Sequence, residues 1–86
     1  MNSFYLVVAS PEGNLLSKNA TALFLRGTEG ELAVMAGHTP FVTSVVECEC
    51  KIILEDGTEL LGDTKGGLLT VSDDKVTLLS GSFTFK

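Results

Sequence analysis

The sequence predicts an all-β fold, a sandwich or barrel of short strands, on three observations. Runs rich in Val, Ile, Leu, Phe and Thr are broken at short intervals by turn signals, with nine glycines but only two prolines in 86 residues. No segment sustains a 3.6-residue apolar period, and the best helix formers never gather into a capped run. One stretch, 48–55, alternates residue by residue between apolar and mostly polar side chains, the pattern of a strand with one wet face.

Strands are expected at 3–9, 14–17, 20–26, 31–35, 41–46, 48–54, 58–62, 65–72, 75–80 and 82–86. In the first, Phe4, Leu6 and Val8 alternate with Tyr5, Val7 and Ala9, so both sides are apolar and one of them suits a partner better than water. In the third, placing Leu23 and Leu25 in the core sends Phe24 outward with Ala20 and Ala22. In the sixth, Cys48, Cys50, Ile52 and Leu54 share the core side, opposite Glu49, Lys51, Ile53 and Glu55. That strand runs into Asp56-Gly57, a pair that takes up positive φ at low steric cost and so marks a hairpin. A second hairpin is expected at Ser72-Asp73-Asp74-Lys75. No repeat, linker or low-complexity tract interrupts the chain, which reads as a single unit over 1–86.

A domain of this length buries about 60% of the surface its unfolded chain exposes, so assembly with a partner is an expected source of stability. Six Lys plus Arg against eleven Asp plus Glu leave a net charge of −5. That field repels nucleic acid and anionic lipid alike, and no run nears the roughly 18 apolar residues that span a bilayer. Membrane association is therefore expected only through a protein. Met1-Asn2-Ser3-Phe4 offers no positive region ahead of an apolar stretch, which predicts a cytoplasmic chain, and on that ground the glycosylation pattern at Asn19-Ala20-Thr21 is set aside. Cys48 and Cys50, one residue apart on a strand, have Cα atoms about 6.5–7 Å apart, at the limit of disulfide geometry. Both read as reduced core thiols, too few for a zinc site.

Catalytic patterns are missing. His38 is the only histidine and has no nucleophile elbow or HExxH spacing around it. Gly27-Thr28-Glu29-Gly30 and Gly66-Gly67 fit neither phosphate-binding glycine motif, and the acidic residues of the first would repel a phosphate. Glu29 and Glu31 read as a solvated loop rather than an acid–base pair. No cofactor, metal or enzymatic activity is expected.

Ser10-Pro11-Glu12-Gly13, followed by the run Thr28-Glu29-Gly30-Glu31-Leu32-Ala33-Val34-Met35-Ala36-Gly37-His38-Thr39-Pro40, resembles the N-terminal β-sandwich domain of the F-type ATP synthase epsilon subunit. Matches continue in register at Phe41-Val42-Thr43, Lys51-Ile52, Asp56-Gly57, Gly66-Gly67-Leu68-Leu69-Thr70-Val71 and Lys75-Val76-Thr77-Leu78-Leu79, covering nearly the whole chain. The resemblance implies a flattened β-sandwich of about ten strands that grips the gamma subunit and rests on the c-ring. It implies a non-catalytic rotor-stalk subunit coupling ion transport to ATP synthesis, peripheral on the cytoplasmic face of the cell membrane. Carried over by position, Glu29 and Glu31 face the c-ring, while Ser10, His38 and Thr43 face gamma. Arg26 and Ala36 stand where the family often has proline, and Glu47-Cys48-Glu49 replaces a common Pro-Gly turn, so those loops are expected to differ. The chain stops where the family's C-terminal helical hairpin would begin, so no inhibitory or nucleotide-sensing role is carried over. The rival reading is a free-standing β-sandwich module that recognises another protein or a small ligand.

Overall fold

In chain order the alternating runs become β1 (Phe4–Ser10), β2 (Gly13–Gly27), β3 (Gly30–Met35), β4 (Phe41–Val45), β5 (Cys48–Leu54), β6 (Glu59–Thr64), β7 (Gly67–Val71), β8 (Lys75–Ser80) and β9 (Phe83–Phe85). The computed structural model describes residues 3–37, 39–73 and 75–86, and among them there are nine strands and no helix. Ten strands were expected. The difference lies at Ser17-Lys18-Asn19, where no glycine or proline turns the chain, so the second and third runs stay extended as one 15-residue strand.

This long β2 builds the sandwich. Its first half pairs antiparallel with β1, from Ser10↔Gly13 to Phe4↔Ala20. Its second half pairs with β3 on one edge, Ala22↔Met35 to Gly27↔Gly30, and with β5 on the other, Leu23↔Ile52 among them. One layer is therefore β2–β1–β8–β7–β4 and the other β3–β2–β5–β6–β9, with β2 shared. The β2–β5 register slips between Ala20 and Ala22, and such a bulge bends a strand from one layer toward the other. β1 and β8 run parallel, while β8–β7 and β7–β4 are antiparallel.

Between the layers lie Leu6, Val8, Leu23, Leu25, Val34, Cys50, Ile52, Leu69, Val76 and Leu78, all buried. The period of two explains the set: Leu69 pairs with Leu78 and Val71 with Val76, all facing inward. Gly67 lets β7 close on β8, because a Cβ there would collide with the Leu79 carbonyl. Among the described residues Thr64 and Ser80 are the buried polar side chains, and they satisfy each other with a 2.6 Å hydroxyl–hydroxyl hydrogen bond. At the Asp56 turn the Thr58 N–H donates to the Asp56 carboxylate at 2.9 Å, which holds that acid below its usual range.

Two sequence readings need correction. Phe24 is half-buried, and Ala20 and Ala22 are buried outright, because β2 is an interior strand of the second layer, flanked by β3 and β5. Cys50 lies in the core as expected, but Cys48 begins β5 and is only half-buried, its Sγ accepting the Arg26 N–H at 3.4 Å.

Candidate functional site

The two outer faces of the sandwich differ in chemistry. On the β1–β8–β7–β4 layer the outward residues form rows across the strands: Ala9–Leu79–Leu68–Ser44, then Val7–Thr77–Thr70–Val42, then Tyr5–Lys75. Val42 is 62% exposed, Leu79 49%, Tyr5 43% and Leu68 40%. Lys75 is the only charge in those rows. Isolated exposed apolar side chains are ordinary, whereas here several share one four-stranded face with threonines between them, the kind of contiguous apolar surface that marks interaction sites in general.

The opposite layer is laced with ion pairs. Arg26 meets Glu31 at 3.5 Å, Lys51 meets Glu59 at 3.6 Å, Lys65 meets Glu47 at 3.0 Å, and Lys86 reaches Glu49 at 2.5 Å and Asp63 at 3.6 Å. These contacts raise the Lys65 and Lys86 ammonium groups above their usual range, chiefly through the hydrogen bonds from Lys65 to Glu47 and from Lys86 to Glu49. All of them join strands of the second layer or the residues flanking them, and they lie among that layer's own exposed apolar side chains, Met35, Leu61 and Phe85.

Of the positions singled out in the sequence, Ser10 ends β1, and its Oγ accepts the Glu12 N–H at 3.2 Å, tying the hairpin into β2. Thr43 sits in mid-β4 on the core-facing side, opposite Leu69, so its neighbours Val42 and Ser44 are the outward ones. Glu29 and Glu31 are exposed on the β2–β3 hairpin, whose turn end is fastened to β4 and the residue after it: Thr28 N–H donates to Ser44 O at 3.3 Å, and Val46 N–H to Arg26 O at 3.1 Å. The fold therefore brings Thr43 beside the Glu29–Glu31 hairpin, while Ser10 lies on β1, with β8 and β7 between it and β4. His38 lies outside the described residues. The apolar first strand, with Tyr5, was read as suiting a partner on one side, whereas Val42, Leu68 and Leu79 were not singled out as site residues. The signal was present in the doublets Leu68-Leu69 and Leu78-Leu79, since on a strand one leucine of each doublet faces out.

Among the described residues no group of three or more His, Cys, Asp and Glu side chains is placed to hold a metal ion. Burial, followed by the neighbouring Cys48, pushes the Cys50 thiol up to about 12, which keeps it neutral and unreactive. A hollow of about 300 Å³ beside Cys48 is lined by Phe24, Arg26, Glu31, Leu32, Glu49 and Lys51, whose carboxylates and cations are spent on ion pairs.

A family model described as "ATP synthase, Delta/Epsilon chain, beta-sandwich domain" matches residues 3–86. The chain belongs to this family. The ATP synthase epsilon chains of two Desulfitobacterium hafniense strains, DSM 10664 / DCB-2 and Y51, are each 36% identical to it over 78 residues, 91% of this chain. The chain spans 58% of the length of those curated relatives. Its fold is that of a chain in a cryo-EM structure of Euglena gracilis mitochondrial ATP synthase (OSCP/F1/c-ring), with a TM-score of 0.92 at 22% identity over 99% of this chain and 54% of that one. A chain from the central stalk/c-ring structure of Tetrahymena thermophila mitochondrial ATP synthase superposes with a TM-score of 0.80 at 11% identity, over 93% of this chain and 64% of that one.

Proposed function

We propose that this delta/epsilon-family chain is a non-catalytic rotor-stalk subunit of an F-type ATP synthase, joining the gamma subunit to the c-ring so that ion transport is coupled to ATP synthesis. The observation that carries the reading is the outer face of β1–β8–β7–β4, whose outward rows hold a single charge, Lys75, with Tyr5, Val42, Leu68 and Leu79 exposed on a chain whose net charge is −5. Ser10 and Thr43, the residues assigned to the gamma side, lie on β1 and β4, the two strands that border this face. His38 is assigned to the same side by resemblance alone. The Glu29–Glu31 hairpin, at the border of the face, is directed to the c-ring, where carboxylates orient docking on basic groups and speed association more than they add affinity. The chain holds to the cytoplasmic face of the membrane through these partners and not through lipid.

The experiment is binding to purified gamma subunit by calorimetry or sedimentation. A one-to-one complex with a negative heat-capacity change, the mark of buried apolar surface, supports the reading. Absence of binding to gamma, with the fold intact, would leave the chain a module for some other protein.

A further inference from the structure

The last strand, β9, is three residues long, stands at the edge of the second layer and pairs with β6 alone among the described strands. It is held from both sides of the sheet. On the inner side Phe83 is buried against Gly62, where a Cβ would stand 2.5 Å from the phenyl ring, so the ring takes the space that any other residue at 62 would fill. Phe85 meets that ring edge-on, with the centroids 4.9 Å apart. On the outer side Glu49 and Asp63 lie directly opposite each other across β5–β6, an arrangement of like charges that weakens a ladder. Lys86 bridges both carboxylates and so ties the end of β9 across β6 to β5. Its own N–H donates to the Leu61 carbonyl at 2.8 Å.

The two fastenings differ in kind. Lys86 and both of its carboxylate partners are about half exposed, so water and salt compete for that one, whereas the seat of Phe83 is buried. A short edge strand with an exposed fastening belongs to the low-stability end of a fold. We propose that β9 is a latched strap that opens from β6 while the rest of the sandwich stays folded, with Lys86 as the latch that sets how often it opens. Opening bares the outer edge of β6, which the closed strap covers. The device is independent of which partner meets either outer face.

The test is native-state amide hydrogen exchange on the full chain, followed by NMR at low and at high salt with denaturant kept below the unfolding transition. The amides of Thr84 and Lys86 are expected to exchange through an opening that denaturant barely affects, while that of Leu78, fully buried in β8, exchanges only when the whole domain unfolds. Lys86→Gln should speed exchange in β9 about two- to fivefold, the effect of losing exposed ion pairs, and flatten its salt dependence. Lys51→Gln removes an equal charge from the pair with Glu59, which does not touch β9, and should leave β9 exchange unchanged. Leu69→Val, a milder loss in the core, should speed exchange at Leu78 but not in β9. Gly62→Ala should displace the Phe83 ring and abolish protection in β9 while Leu78 stays protected. The proposal is overturned if the β9 amides share the denaturant dependence of Leu78 or speed up with it in Leu69→Val. It is equally overturned if Lys86→Gln is silent or is matched by Lys51→Gln. Unfolding of the whole domain in Gly62→Ala would overturn it too, since Phe83 would then hold the core and not a separate strap.

Discussion

The two outer faces of the sandwich share one core and one strand, yet one carries almost no charge while the other sets ion pairs among its exposed apolar side chains, Met35, Leu61 and Phe85. On the first, Leu68 faces Leu79 across β7–β8; on the second, Lys51 meets Glu59 across β5–β6 and Lys86 bridges Glu49 and Asp63. A folded domain gains little from ion pairs exposed to water, so those of the second layer contribute solubility more than stability. The first face leaves leucines in water on a small domain, a cost that makes sense when another protein covers them. Strand periodicity creates the contrast cheaply: the Leu68-Leu69 and Leu78-Leu79 doublets each contribute one side chain to the core and one to the face.

The contrast breaks most severely if the layer that bears the apolar face cannot close. Gly67→Val places side-chain atoms where the Leu79 carbonyl already stands, and should destabilise the domain by roughly 3 kcal/mol or more. Urea unfolding checks this, and a near-native midpoint would mean that β7 and β8 are not packed as described.

Next in size is the comparison within a doublet. Leu69→Ala empties a fully buried position and should cost about 2–5 kcal/mol, whereas Leu68→Ala, one residue away, should change stability by only about 0.5 kcal/mol. Equal losses at both would erase the distinction between core and face.

A smaller effect sharpens the account of the second layer. Cys50 has its pKa raised from the usual 9.0 to about 12 in the folded chain, first by burial and then by Cys48. A group raised in this way gives stability that is fully present below the unfolded value and is lost as pH rises through the folded one. Stability should therefore decline between pH 9 and about 12 as the unfolded thiol ionises and the folded one does not. Cys50→Ala should remove that part of the slope. A slope identical in the variant would place Cys50 in contact with solvent.

Much of this was legible in the sequence. The alternation from Cys48 to Leu54, the Asp56-Gly57 hairpin and the inward leucines are local patterns, and local patterns survive into the fold. The long β2 was not legible, because its continuity through Ser17-Lys18-Asn19 depends on hydrogen bonding to β1, a partner distant in sequence. Phe24 was misjudged for a related reason: alternation says which way a side chain points, while cover from β3 and β5 decides whether water reaches it. The same gap hid the apolar face. Only the first strand showed it locally, by being apolar on both sides; Val42, Leu68 and Leu79 are unremarkable in their own strands, and the registers of β1, β8, β7 and β4 gather them with Tyr5 on one surface.

The most direct measurement is therefore the affinity of the purified chain for gamma after Leu68→Ser and Leu79→Ser are introduced together, set beside Lys51→Gln and Glu59→Gln together on the opposite face. The leucine variant should keep the native melting curve within a few degrees and lose about tenfold or more in affinity, since buried apolar anchors carry most of an interface's energy. The charge variant should bind as the parent does. Full affinity in the leucine variant, or a loss confined to the charge variant, would contradict the assignment of the apolar face to the rotor stalk.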